Sequence, residues 1–201
     1  NKTKKIYLSH FFPLFIILLG IIIRLRQYLA NRSLWIDEAS LALNVLERDY
    51  SALLQKLDYV QAAPPLFLLI TKFLTKLFNT SEYVLRFLPF ISGVLSLYLF
   101  YLVAREFLNK GAIPIALTLL SFTYYNIYYS AEFKQYSLEL LVGLIILLFA
   151  IKLYKSNYSN NHIFSYIIIG SIAVWFSHTS VIMLAGVGIA LLLKLYISDN
   201  K

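Results

Sequence analysis

The sequence of 201 residues contains no cysteine and little charge. Without cysteine, structural disulfides, thiolate catalysis and cysteine-ligated zinc are excluded. Charged residues make up only 14% of the chain and hydrophobic residues 60%. Soluble domains have about 25% charged and about 45–50% apolar residues. Because too few charges remain to cover a water-exposed surface, the composition predicts an integral membrane protein.

Several phosphate-binding and catalytic motifs are also missing. The chain has no glycine-rich phosphate loop, no HExxH, no GxSxG and no zinc-ligand spacing. Any phosphate is therefore expected to contact side chains. The net charge of +8 comes from lysines and arginines between apolar runs, where they are placed to contact lipid headgroups. No nucleic-acid partner is expected.

Six apolar runs approach the ~20 residues that a membrane-spanning helix needs. They cover residues 7–23, 86–103, 112–129, 138–153, 163–176 and 181–197. The pattern predicts an all-α polytopic bundle of about six transmembrane helices, forming a single transmembrane domain over residues 1–201. The first residue is not methionine, and we expect the chain to be the N-terminal part of a longer protein.

The connection between the first two runs, residues 24–85, is long enough to carry juxtamembrane helices. Asp37 is placed to cap a helix over residues 38–48. A second helix, over residues 66–78, follows Pro64 and Pro65. Its Lys72 and Lys76 lie on one side and apolar residues on the other, which is typical of a helix lying in the membrane interface.

Alternation of the spans, with the N-terminus inside, places residues 24–85, 130–137 and 178–179 on the outer side. Seven of the ten acidic residues lie in these segments, and an eighth, Glu139, lies at the outer end of the fourth run. Basic residues in the short inner connections agree with the positive-inside rule. We expect a bacterial inner membrane protein whose active site faces the periplasm.

Two outer segments carry candidate catalytic groups. Asp37 and Glu38 are adjacent carboxylates just beyond the first span, where partial burial and a neighbouring like charge favour a general base. Their alternative role is helix capping and dipole compensation. In the second outer loop, Glu132 and Lys134 are placed to hold a cation or orient a substrate, or else belong to a solvated turn.

Two further basic residues lie at outer span ends. Arg86 begins the second span and His178 lies between the last two runs. Either could bind a substrate phosphate. The alternative is that each anchors the protein to lipid headgroups.

Four sequence elements in this order resemble GT-C class membrane glycosyltransferases. The resemblance is to the family 39-like proteins, which include protein O-mannosyltransferases and the aminoarabinose transferase of lipid A. The elements are Leu34-Trp-Ile-Asp-Glu-Ala39, Ala63-Pro-Pro-Leu-Phe67, Leu85-Arg-Phe-Leu-Pro89 and Glu132-Phe-Lys-Gln-Tyr136.

The resemblance implies a glycosyltransferase that moves a sugar from a polyprenyl-phosphate donor to an acceptor lipid, glycan or protein. It implies that Asp37 is the base or acceptor-positioning group, with Glu38 beside it. The substrate and phosphate-binding residues would be Arg86, Glu132, Lys134, Tyr136 and His178.

Two positions depart from the family pattern. Lys134 stands where relatives often have arginine, and Gln61-Ala-Ala63 stands where the aminoarabinose transferase has an acid before the proline element. The second departure argues against a metal site of that kind, although Asp37, Glu38 and Glu132 could still hold Mg or Mn. The alternative functions are a polytopic transporter or flippase and a non-catalytic membrane fragment.

Overall fold

The computed structural model describes residues 2–199, and it describes side chains for residues 11–197. Within these residues the protein consists of α-helices and one 3-10 turn, Ala52–Leu54, with no strand. The prediction of an all-α fold is confirmed. The helices are α1 Lys2–Leu29, α2 Ile36–Glu47, α3 Pro65–Leu77, α4 Glu82–Phe107, α5 Ala112–Phe122, α6 Tyr124–Tyr129, α7 Tyr136–Lys155, α8 Asn160–Phe176 and α9 Ser180–Asp199.

Four of the described helices are long and apolar enough to cross a membrane. They are Phe11–Leu29 of α1, all of α4 and α7, and Ser180–Ile197 of α9. The 17 residues of α8 are close to this length. The 11 residues of α5 would span only ~17 Å of a ~30 Å hydrocarbon core. The polytopic membrane bundle is confirmed, whereas a total of six spans stays a prediction.

The third apolar run does not form one continuous helix. We expected a single span over residues 112–129, which is wrong because α5 ends at Phe122. Thr123 is extended at φ −61° and ψ 128°, and α6 begins at the next residue. The break leaves carbonyl groups of α5 without helical partners. Arg24 of α1 donates to the carbonyl oxygens of Ser121 at 3.0 Å and Leu120 at 3.3 Å, which stabilises the break.

Both helices expected in the first outer connection are present. α2 begins at Ile36, and Trp35 occupies its N-cap position. The prediction that Asp37 caps this helix is therefore wrong. Asp37 and Glu38 lie instead in the first turn, where a carboxylate still interacts favourably with the helix dipole. α3 begins at Pro65, consistent with the preference for proline at a first helical position.

The polar side of α3 faces the protein. Thr71 and Lys72 are buried, whereas Phe73 and Leu77 are more than half exposed. The Lys72 ammonium donates at 2.8 Å to the backbone carbonyl of Val45, near the C-terminal end of α2, where a cation is favoured. The outward apolar side suits contact with lipid, and the interfacial position of α3 stays a prediction.

The buried apolar residues form two clusters. One joins α2, α3, α4 and α7 through Leu41, Phe67, Leu85 and Ile146, and includes Phe133 of the connection between α6 and α7. The other joins α1, α4 and α5. The first cluster fixes both candidate catalytic connections on the same end of the bundle.

Gly93 of α4 allows a close approach of the chain between α6 and α7. A Cβ atom at this position would lie 2.6 Å from Ser130 Cβ, whereas one at Gly186 of α9 would have no neighbour within 4 Å. We expect Gly93→Ala to lower the free energy of unfolding by about 1–3 kcal/mol, because the two segments must separate. Gly186→Ala is the control and should leave stability unchanged or slightly higher.

Thermal unfolding of the purified variants in detergent measures the difference. Equal melting temperatures for Gly93→Ala and Gly186→Ala would contradict the close packing of α4 against Ser130.

Candidate functional site

The Glu38 carboxylate is fully buried and accepts several hydrogen bonds. Arg86 of α4 contacts both of its oxygens, with Nε 3.0 Å from Oε1 and Nη2 2.9 Å from Oε2. The backbone N–H of Phe133 donates to Oε1 at 2.6 Å, and Arg32 Nη2 lies 3.4 Å from Oε2. A bidentate guanidinium–carboxylate pair is among the strongest charge-assisted contacts in proteins.

Arg86 uses the rest of its guanidinium on the backbone of the first connection. Nη1 donates to the carbonyl oxygen of Arg32 at 2.6 Å, and Nη2 also donates to that of Ser33 at 3.4 Å. Its side chain is 2% exposed. Arg86 therefore ties α4 to the first connection and to α2, and all three of its nitrogens have partners.

Asp37 lies one residue earlier but faces a different environment. Its side chain is 37% exposed. Lys134 Nζ lies 2.8 Å from Oδ2, and the Gln61 amide donates to Oδ1 at 2.8 Å. Lys134 also donates to Gln61 Oε1 at 2.7 Å. The hydrogen bonds from Lys134 and Gln61 hold the pKa of Asp37 below its usual value, so its carboxylate is ionised and accessible at neutral pH.

Glu132 is the third carboxylate at this end of the bundle. It is 1% exposed, and its Oε1 accepts a hydrogen bond from the Trp35 indole N–H at 3.0 Å. Its other oxygen, Oε2, has no hydrogen-bond partner among the described residues. Burial raises the pKa of Glu132, with a further contribution from the negative charge of Glu38. Glu132 thus has one buried oxygen that can take up a proton or accept a hydrogen bond from a hydroxyl group.

The structure brings Asp37, Glu38, Arg86, Glu132 and Lys134 together. Tyr136 follows on the first turn of α7, is exposed, and packs on Tyr129 with ring centroids 4.7 Å apart. His178 is exposed between α8 and α9. It faces Glu139 of α7, and no described contact joins it to the carboxylate cluster.

Three residues of the cluster were not identified as site residues from the sequence. Arg32 contacts Glu38, Trp35 binds Glu132, and Gln61 joins Asp37 to Lys134. The sequence does carry a signal for two of them, because Trp35 belongs to the first quoted element and Gln61 lies two residues before the proline element. Arg32 carries no such signal, because basic residues are common at a membrane boundary whether or not they belong to a site.

Among the described residues, no group of three or more histidine, aspartate or glutamate side chains is arranged to hold a metal ion. Of the three carboxylates proposed for Mg or Mn, Asp37 contacts Lys134 and Glu38 contacts Arg86. Only Glu132 has an oxygen without a partner. The donor set therefore does not fit a resident divalent cation, because one would have to displace these cationic side chains.

We expect Glu38→Gln to destabilise the protein severely. The change would leave Arg86 buried without its counter-ion, and breaking a buried pair in this way costs about 3–5 kcal/mol. Glu106→Gln is the matched control, because it breaks the partly exposed pair of Glu106 with Lys155 and should cost under about 1 kcal/mol. Thermal unfolding in detergent compares them, and a Glu38→Gln variant as stable as Glu106→Gln would refute this role.

Comparison with known proteins identifies the family. The family model described as dolichyl-phosphate-mannose-protein mannosyltransferase matches residues 62–198, which is more than half of the chain. The match includes Arg86, Glu132 and Lys134 but begins after Asp37 and Glu38. No curated protein and no solved structure matches the chain. The chain belongs to the dolichyl-phosphate-mannose-protein mannosyltransferase family, and its resemblance to GT-C glycosyltransferases is confirmed.

Proposed function

We propose that this GT-C-type glycosyltransferase moves a sugar from a polyprenyl-phosphate donor to an acceptor on the outer face of the membrane. The observation that supports this most is the state of Asp37. It is the carboxylate with an exposed side chain in a cluster whose other two acids are buried, and Lys134 and Gln61 fix its position. A fixed, ionised and accessible carboxylate suits proton abstraction from a nucleophile.

In the proposed reaction, the Asp37 carboxylate accepts the proton of the acceptor hydroxyl group. The acceptor oxygen forms a bond to the anomeric carbon as the bond between that carbon and the donor phosphate oxygen breaks. The lipid phosphate leaves with the bonding electron pair. Negative charge develops on the leaving phosphate. We assign Lys134, the cation that contacts Asp37, to offset that charge and so lower the energy of the transition state.

The remaining site residues have supporting roles in this proposal. Glu38 and Arg86 hold the first connection against α4, and their mutual pairing leaves Arg86 little capacity to bind a donor phosphate directly. Glu132, with one oxygen free, orients a hydroxyl group of the acceptor or sugar. Tyr136 contributes an exposed ring to the same opening. His178 faces Glu139 and would contact the donor only at the edge of the site.

The wider setting is also proposed. The acceptor is a lipid, glycan or protein, the donor and surrounding lipids contact the apolar helices, and the site faces the periplasmic side of a bacterial inner membrane. The basic residues of the short inner connections support the orientation. Adding a chelator during the assay tests dependence on Mg or Mn, and no step of the proposed reaction requires a metal.

We expect Asp37→Asn to lower the transfer rate about 100-fold or more, because the amide cannot accept the acceptor proton. The assay uses membranes containing the whole product of the gene, supplied with radiolabelled polyprenyl-phosphate sugars, and follows label in the acceptor fraction. Glu47→Gln is the control, because Glu47 lies exposed at the other end of α2. Its transfer rate should equal that of the unchanged protein.

Membrane insertion should be similar in both variants. Because Asp37→Asn removes the counter-ion of Lys134, whose side chain is 6% exposed, transfer is compared below the melting temperature of both variants. A normal transfer rate for Asp37→Asn would rule out its assigned role. Movement of the labelled donor across the membrane without any labelled acceptor would support the transporter alternative instead.

A further inference from the structure

Arg24 is a buried cation within the membrane-spanning part of α1, and its charge is not balanced by an acid. It is 1% exposed. None of the ion pairs formed by the described residues includes it. An unpaired charge in a low-dielectric environment is costly, and arginine within a membrane segment usually has a partner or a function.

Backbone carbonyl groups satisfy only part of the Arg24 guanidinium. Nη1 donates to Gly20 and Ser121, and Nη2 donates to Leu120. Nε has no hydrogen-bond partner among the described residues. It faces Gly93, where even an added Cβ atom would lie 3.7 Å away. One donor of Arg24 therefore lacks a partner, and no acid balances its charge.

Arg24 lines a small cavity between α1, α4, α5, α6 and α7. The cavity has a volume of ≈110 Å³ and is lined by residues that include Arg24, Asn126, Tyr129 and Tyr136. A water molecule takes up ~30 Å³ in the liquid, so the cavity has room for a small polyatomic anion. Tyr136 is exposed at the outer end of α7, so the cavity reaches the end of the bundle that carries Asp37.

A second, more apolar cleft shares two of the same wall residues. Tyr136 and Leu140 line both spaces. The second cleft has a volume of ≈400 Å³ and runs along α7 from Tyr136 to Leu147, with Thr179 and Met183 on its other side. Its one acidic residue, Glu139, lies near the Tyr136 end. A small cavity lined by a cation, with an apolar cleft next to it along a spanning helix, fits a ligand with an anionic head and a hydrocarbon chain.

We propose that Arg24 binds the phosphate group of a polyprenyl phosphate, with the hydrocarbon chain lying in the cleft between α7 and α9. The identity of this lipid rests on the proposed function. The guanidinium would contribute Nε and its charge, while its carbonyl contacts at the end of α5 hold it in place. Arg24 thereby supplies the guanidinium contact that Arg86, already paired with Glu38, does not offer.

The test measures binding rather than transfer. The whole purified protein in detergent is titrated with farnesyl phosphate, and binding is followed as an increase in melting temperature. Arg24→Gln should weaken binding about 10- to 100-fold, the range for losing a hydrogen bond to a charged group. Arg24→Lys keeps the charge and should bind with intermediate affinity. Arg26→Gln is the matched control, because Arg26 is exposed on the same helix, and should bind normally.

Leu140→Trp provides a variant that leaves Arg24 and its carbonyl contacts intact. Leu140 is half-buried, so the larger ring should block the shared wall while the protein still folds. This variant should also lose farnesyl phosphate binding. If Arg24→Gln is too unstable to purify, farnesyl phosphate binding by Leu140→Trp tests the proposal in its place.

Three other compounds show which part of farnesyl phosphate raises the melting temperature. Farnesol tests the chain alone, inorganic phosphate the anion alone, and phosphatidylglycerol an ordinary anionic lipid. Each should stabilise the protein less than farnesyl phosphate. Equal stabilisation by farnesol or phosphatidylglycerol, or unchanged farnesyl phosphate affinity in Arg24→Gln or Leu140→Trp, would overturn the proposal.

The two proposals can fail independently. Sugar transfer with unchanged binding in Arg24→Gln would leave the proposed function standing and remove the role of Arg24. Arg24-dependent binding of farnesyl phosphate without any sugar transfer would support the role of Arg24 and remove the proposed function.

Discussion

The buried contact between Glu38 and Arg86 determines where the other candidate residues lie. Glu38 lies in the first turn of α2, Arg86 lies in the first turns of α4, and the backbone of Phe133 joins them from the connection between α6 and α7. Three segments far apart in sequence therefore meet at one carboxylate. Since the pair is desolvated, its strength depends on every donor being in place. The same constraint sets the position of Asp37, one residue before Glu38.

Two adjacent acids have opposite environments because they lie on a helix. Successive side chains point about 100° apart around a helix axis. Glu38 therefore faces the bundle, while Asp37 faces Gln61 and the connection between α6 and α7. Glu38 meets arginines, and Asp37 meets a lysine and an amide. Glu38, fixed by Arg86, thereby sets the position of Asp37 and leaves the Asp37 carboxylate accessible. Such division between positioning and exposed groups is what a preorganised site requires.

Much of the architecture could be predicted from the sequence, because a chain that crosses a bilayer has few alternatives to forming helices. The apolar runs located the long helices, and proline located the start of α3. The break at Thr123 could not be predicted, since no glycine or proline marks it and Arg24 from another helix stabilises it. The separate environments of Asp37 and Glu38, and the contacts of Arg32 and Gln61, depend on tertiary packing. For that reason, residue types indicated the site, but the individual contacts did not follow from them.

The degree to which a buried charge is satisfied distinguishes two arginines that look alike in the sequence. All three nitrogens of Arg86 have partners, and a carboxylate balances its charge. Arg24 has carbonyl partners only, its Nε has no partner among the described residues, and the residue lines a cavity. A residue that only stabilises a fold gains nothing from an open donor, because an unmade hydrogen bond in a dry interior is costly. An open donor beside a cavity of suitable size is more readily explained by a ligand that completes it.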